Sequence, residues 1–82
     1  MSRSRDVVEL LARVLVDQPD LVTVSESESR DGSLIEVSAA AGDLGKMIGR
    51  QGRTAGAVRT LANVAAESEG ARVSVDFVDG HD

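Results

Sequence analysis

The stretch Lys46-Met47-Ile48-Gly49-Arg50-Gln51-Gly52-Arg53-Thr54 decides how this chain reads, because it sets two glycines around an arginine and a glutamine. Of the 82 residues, 14 are Asp or Glu and 9 are Lys or Arg, a formal charge of −5. Yet residues 44–66 contain no carboxylate and carry four bases, Lys46, Arg50, Arg53 and Arg59. That segment holds +4, which leaves −9 for the rest of the chain. An acidic body with one cationic strip implies a single oriented anion site and excludes nonspecific nucleic-acid binding over the whole surface.

Glycines at 49 and 52 lack Cβ atoms, so a phosphodiester backbone can come close to the main chain there. A helix beginning just after the turn aims its N-terminal N–H groups and positive dipole end at the same place. Arg50 supplies a charge-assisted donor and Gln51 a neutral one. Lys46 and Arg53 flank the path, and Ile48 offers an apolar floor for a base. A plainer account makes Gly49 a helix C-cap and Gly52 a turn residue; it explains each glycine but not the missing carboxylates around them. The neighbouring "GDLG", residues 42–45, has the same spacing but encloses a carboxylate and a leucine, which suits a helix start rather than an anion.

Outward from the turn, each flank has its own period. Apolar residues at Val7, Leu10, Leu11, Val14 and Leu15 predict an amphipathic helix from Asp6, with Asp6 as N-cap, a Glu9–Arg13 pair and an end before Pro19. The stretch 21–29, with Val22 and Val24 on one face, and the stretch 33–39, with Ile35, Val37 and Ala39 inward, alternate around "RDG" at 30–32 and predict a hairpin. Asp43 is expected to cap a short helix, Leu44 to Ile48, closed by Gly49. A longer helix follows from about Arg53 to Ser68, with Val58, Leu61, Ala62 and Ala65 on its inner stripe. A last strand places Val73, Val75 and Phe77 inward, and the last four residues read as loose. The expected class is α+β in the order αββααβ, one domain with a core over about 6–78 and helices on one face of a three-stranded sheet.

Composition closes off several functions. A chain this short buries roughly 60% of its unfolded surface, too little for a deep enzymatic pocket. There is no cysteine, so no disulfide framework or thiolate; the one histidine, His81, has no fixed partner; Glu26 and Glu28 read as solvated. No catalytic group, metal site or cofactor is expected, nor a membrane span. A soluble cytoplasmic protein is the expectation. The outer sheet face would show Glu36, Ser38, Ser74 and Asp76, and Phe77 is the only aromatic, so bases cannot stack on sheet aromatics. A phosphate-binding P-loop fails at Ala40 and Met47. A helix-turn-helix DNA reader is the lesser alternative, weakened by a second helix of mostly Ala and Val.

"IGRQGRTA", between a short helix and a long alanine-rich one, resembles the K-homology (KH) RNA-binding domain, and αββααβ is similar to its type II arrangement. The likeness spans residues 6–78 and extends to small bacterial single-KH proteins of the KhpA type. It implies a phosphate-contacting GxxG loop at residues 49–52, and a groove for about four unpaired nucleotides formed by Ile48 and the adjoining helices. Self-association, a second KH-containing partner of the Jag type, and RNA regulation linked to cell-envelope growth are implied by the resemblance alone. The acidic body implies modest, salt-sensitive affinity for single-stranded RNA unless a second copy or partner joins in. Ala57, Leu61 and Val64 form a second apolar stripe on the long helix, a candidate homodimer face unless the first helix covers it. The remaining alternative is a protein-interaction module on the same fold.

Overall fold

The computed structural model describes residues 2–78; His81 and the loose tail expected at residues 79–82 lie outside the described residues. Chain order is α1 (Arg3–Leu15), β1 (Thr23–Ser29), β2 (Gly32–Ser38), α2 (Leu44–Ile48), α3 (Arg53–Glu67) and β3 (Val73–Phe77). Short 3-10 turns intervene at Pro19–Leu21, Ala41–Asp43 and Arg50–Gly52. This is the αββααβ order and the α+β class expected.

The sheet runs β1-β2-β3, with β1 antiparallel and β3 parallel to β2. Ser29 pairs with Gly32, so the hairpin turn sits at the expected Arg30-Asp31. The parallel β3 needs a crossover, and α2 and α3 provide it. One sheet face buries Ile35, Val37, Val73 and Val75 against the helices; the other exposes Ser25, Glu36, Ser74 and Asp76. Ser38 departs from the expected outer set: it is buried, its hydroxyl bonded to that of Thr23 directly across the hairpin.

α1 differs from the expected helix in two ways. It starts at Arg3, capped by Ser2, whose hydroxyl accepts from the Arg5 N–H at 3.0 Å and donates to Glu26 at 3.0 Å. Asp6 therefore lies inside the helix, and Glu26 ties the helix start to β1 rather than facing only solvent. Its core face is also rotated. Val8, Ala12 and Val16 are buried, while Leu10 and Val14 are 64% and 72% exposed. Leu11 and Leu15 pack against the core as expected, whereas Leu10 and Val14 do not, because the small residues Ser4 and Ala12 let this helix pack closely on its other flank. The expected Glu9–Arg13 pair forms at 2.8 Å, and Arg5 joins it at 2.5 Å.

α3 buries Ala55, Val58, Ala62 and Ala66. Leu61, expected inward, is exposed, and Ala65 is half-buried. The sheet-facing side is thus nearly all alanine, which lets helix and sheet approach closely.

Candidate nucleic-acid interface

The turn joining α2 to α3 is built from unusual backbone. Gly49 has φ 77° and ψ 172°, Gln51 φ 58° and ψ 25°, and Gly52 φ 74° and ψ 13°. Gln51 is the one non-glycine residue with positive φ among the described residues. A left-handed conformation at such a residue costs about 1 kcal/mol or more, and is kept where surrounding structure imposes it. Gly49 has a separate requirement. A Cβ there would stand 2.3 Å from Thr54 Oγ1 and 2.7 Å from Thr54 Cβ, so no side chain fits between the turn and the first turn of α3. Gly52 would meet nothing within 4 Å, so its role is conformation and an open approach.

Three amides close the turn internally. Gly49 N–H donates to Gly45 O at 2.8 Å, Gly52 N–H to Gly49 O at 3.1 Å, and Arg53 N–H to Arg50 O. The expectation that the start of α3 offers unpaired N–H groups is corrected at Arg53, whose amide is already used. What remains is the positive end of a 15-residue helix with no acidic residue in its first turn. Arg50, Gln51 and Arg53 are exposed, and Arg53 Nη2 donates to Gln51 Oε1 at 3.2 Å. That bond steadies the Gln51 side chain and leaves its amide NH2 as a donor. Among the described residues neither Arg50 nor Arg53 makes an ion pair. Ile48 is half-buried beside them, so part of its side chain is accessible.

Lys46 is differently placed. Its Nζ lies 3.1 Å from Asp17 and 3.6 Å from Asp43, and the hydrogen bond to Asp17, aided by Asp43, holds its pKa above the ordinary 10.5. A strip free of carboxylates in sequence is not free of them in space. Asp43, expected to cap α2, makes no capping bond; its carboxylate, 3% exposed, accepts from the Gln18 N–H at 3.0 Å. It ties α2 to the end of α1, a contact across 25 residues that local spacing does not reveal.

Arg59, the fourth base of the strip, is turned towards β3. Its Nε donates to Val75 O at 3.0 Å and its guanidinium carbon lies 5.3 Å from the centre of the Phe77 ring. Sequence reading counted its charge without giving it a place. Its spacing of seven from Gly52, on one helix flank, is the signal that was available. Ala57, Leu61 and Val64 are all exposed on the side of α3 away from the sheet, so α1 does not cover that stripe.

A mixed three-stranded sheet covered by helices, with a glycine-bounded turn between the second and third, defines a type II KH domain. Comparison with known proteins makes the assignment specific. The family model described as KhpA/KhpB, KH domain matches residues 5–77, and the chain belongs to that family. It is 44% identical over 73 residues to a protein named RNA-binding protein KhpA from Caldanaerobacter subterraneus, covering 89% of this chain and 97% of that one. A protein of the same name from Mycobacterium tuberculosis is 50% identical over 74 residues, covering 90% and 89%. The Aquifex aeolicus relative, also so named, is 40% identical over 79 residues, covering 96% of this chain and all of its own. Among solved structures, an Aquifex aeolicus Era variant bound to GDP and aluminium fluoride shares the fold, with a TM-score of 0.60 and 17% identity over 93% of this chain and 29% of the Era chain. The helix-turn-helix reading gives way to the family match.

Proposed function

We propose that this protein binds single-stranded RNA through the Gly49–Gly52 turn, as a non-enzymatic RNA chaperone or post-transcriptional regulator in the cytoplasm. The observation that carries the reading is the turn itself. Three positive-φ residues hold Arg50, Gln51 and Arg53 outward at a helix N-terminus, with neither arginine neutralised by a carboxylate among the described residues. Phosphates meet Arg50, Gln51 and Arg53, a base rests on the accessible part of Ile48, and Lys46 contributes by exchanging a carboxylate partner for phosphate. The relatives' name, RNA-binding protein KhpA, supports the same reading.

Affinity is modest, since two to four neutralised phosphates give a slope of log K against log salt of about −1.5 to −3. A second copy raises it, and the exposed Ala57, Leu61 and Val64 stripe is the face proposed for the homodimer. A second KH-containing protein of the Jag type is the proposed hetero-partner; the family description names KhpB beside KhpA. Fluorescence anisotropy with a short unpaired RNA pool over a salt series tests the reading: a saturable signal with that slope is expected, and no binding at low salt would overturn it. Sedimentation showing only monomer at tens of micromolar would remove the homodimer.

A further inference from the structure

The sheet has two edges, β1 and β3, and the first is left open along part of its length. Its hydrogen bonding follows from that of β2. Ser33 N–H donates to Arg72 O and Val78 N–H to Val37 O, so Ser33, Ile35 and Val37 turn their backbone groups to β3. Leu34 and Glu36 therefore face β1, where the register gives them Ser27 and Ser25. The alternate residues Val24, Glu26 and Glu28 point their N–H and C=O groups off the sheet. Arg5 Nη2 reaches Val24 O at 3.4 Å and closes that end. Among the described residues nothing bonds the backbone of Glu26 or Glu28, which leaves two successive open rungs.

Such edges are ordinarily guarded by a lysine, a proline or a bulge. β1 has none of these, and its seven residues pair with β2 without interruption. Its guard is acidic. Glu26 and Glu28 project on the helix side of the sheet, and neither has a cation partner among the described residues. Glu26 is half-buried and accepts only from the Ser2 hydroxyl; Glu28 is exposed. Glu28 also lines a cleft of about 360 Å³ between the hairpin turn and the entry to β3, with Arg30, Gly70 and Arg72. A second copy is a poor occupant: two-fold pairing of β1 with itself runs antiparallel and sets carboxylate against carboxylate. The backbone accepts a strand, and the side chains select one of opposite charge.

We propose that β1 is a docking edge for an extended basic segment of another protein, which adds a fourth strand antiparallel to β1. Two alternate residues of that segment exchange backbone hydrogen bonds with Glu26 and Glu28. The same two carry the lysine or arginine side chains that lie directly across from the carboxylates. The cleft beside Glu28 takes the stem of one of them, and the residue between faces the serine side of the sheet. No residue of the glycine turn takes part, so the proposal is independent of the RNA reading.

The test is an NMR titration of the isotope-labelled protein with heptapeptides. One peptide alternates threonine and lysine, and a second has the same composition with its lysines consecutive. A third is the alternating peptide N-methylated at its lysines, which removes the donors that face β1. The alternating peptide is expected to shift the Glu26 and Glu28 amides at up to about 1 mM, and to bind about fivefold or more tightly than either control. Glu28→Lys is expected to weaken it by about fivefold or more, whereas Ser27→Lys, the same added charge on the opposite face, keeps affinity within about twofold. Both changes are at exposed positions, and circular dichroism should show an unchanged fold. An alternating peptide that binds no better than the consecutive or N-methylated one reports only attraction to an acidic protein, and overturns the proposal. So does the absence of any shift at about 1 mM, shifts confined to residues outside β1, or a Glu28→Lys variant that binds as wild type does.

Discussion

Two G-x-x-G segments lie seven residues apart in this chain, and they do opposite things. In "GDLG" neither glycine has positive φ, a Cβ on either would meet nothing, and the enclosed Asp43 is buried against Gln18 and Lys46. In "GRQG" both glycines have positive φ, one admits no side chain, and the enclosed Arg50 and Gln51 face solvent. The first segment fastens a helix to the body; the second holds polar donors away from it. Spacing is shared, so what separates them is backbone conformation and the direction of the residues between.

Substitutions at matched positions sharpen that contrast. Gly49→Ala forces a Cβ into Thr54 and keeps positive φ, and is expected to destabilise by about 3 kcal/mol or more, read as a lower denaturation midpoint. Asp43→Ala removes the acceptor of the Gln18 amide, and is expected to cost about 1–3 kcal/mol with RNA affinity largely kept. Gly45→Ala, in open space within α2, should go the other way and stabilise by about 0.5–1 kcal/mol. If Gly45→Ala and Gly49→Ala had equal effects, the two segments would not be the different devices described here.

The smallest expected effect is that of pH on the ion pairs outside the turn. Hydrogen bonds from Arg13, then Arg5, hold the Glu9 pKa below its ordinary 4.5. Its contribution to stability is complete above that ordinary value and fades as pH falls through the lowered one. Lys46 is the mirror case: its contribution is complete below 10.5 and fades as pH rises through its raised value. Thermal midpoints between neutrality and pH 9 should therefore be flat with respect to both groups, with the Glu9 loss confined to acid and absent from Glu9→Gln.

Much of this was legible in residues alone. The hairpin at Arg30-Asp31, the bounds of α2 and the glycine turn follow from short-range rules, because alternation, turn residues and capping act over a few positions. The inner faces of α1 and α3 followed only in part, through Leu11 and Leu15, which pack against the core, and Val58 and Ala62, which are buried. Large apolar residues at Leu10, Val14 and Leu61 outweighed Ala12 and Ala66, yet close helix–sheet packing selects the small ones. Charge was misread for a similar reason. Lys46 stands amid bases in sequence, but Asp17 reaches it from a different element. Arg59 becomes informative only once β3 lies beside it.

The central claim is that the Gly49–Gly52 turn is the phosphate site, and the most direct measurement replaces its donors without touching its glycines. Arg50→Asp combined with Gln51→Asp alters two exposed side chains, so circular dichroism should show an unchanged fold. In anisotropy titrations with unpaired RNA at low salt, wild type is expected to bind and the double variant to show no saturable signal. A folded double variant that binds RNA as wild type does would contradict the account and move the site elsewhere on the molecule.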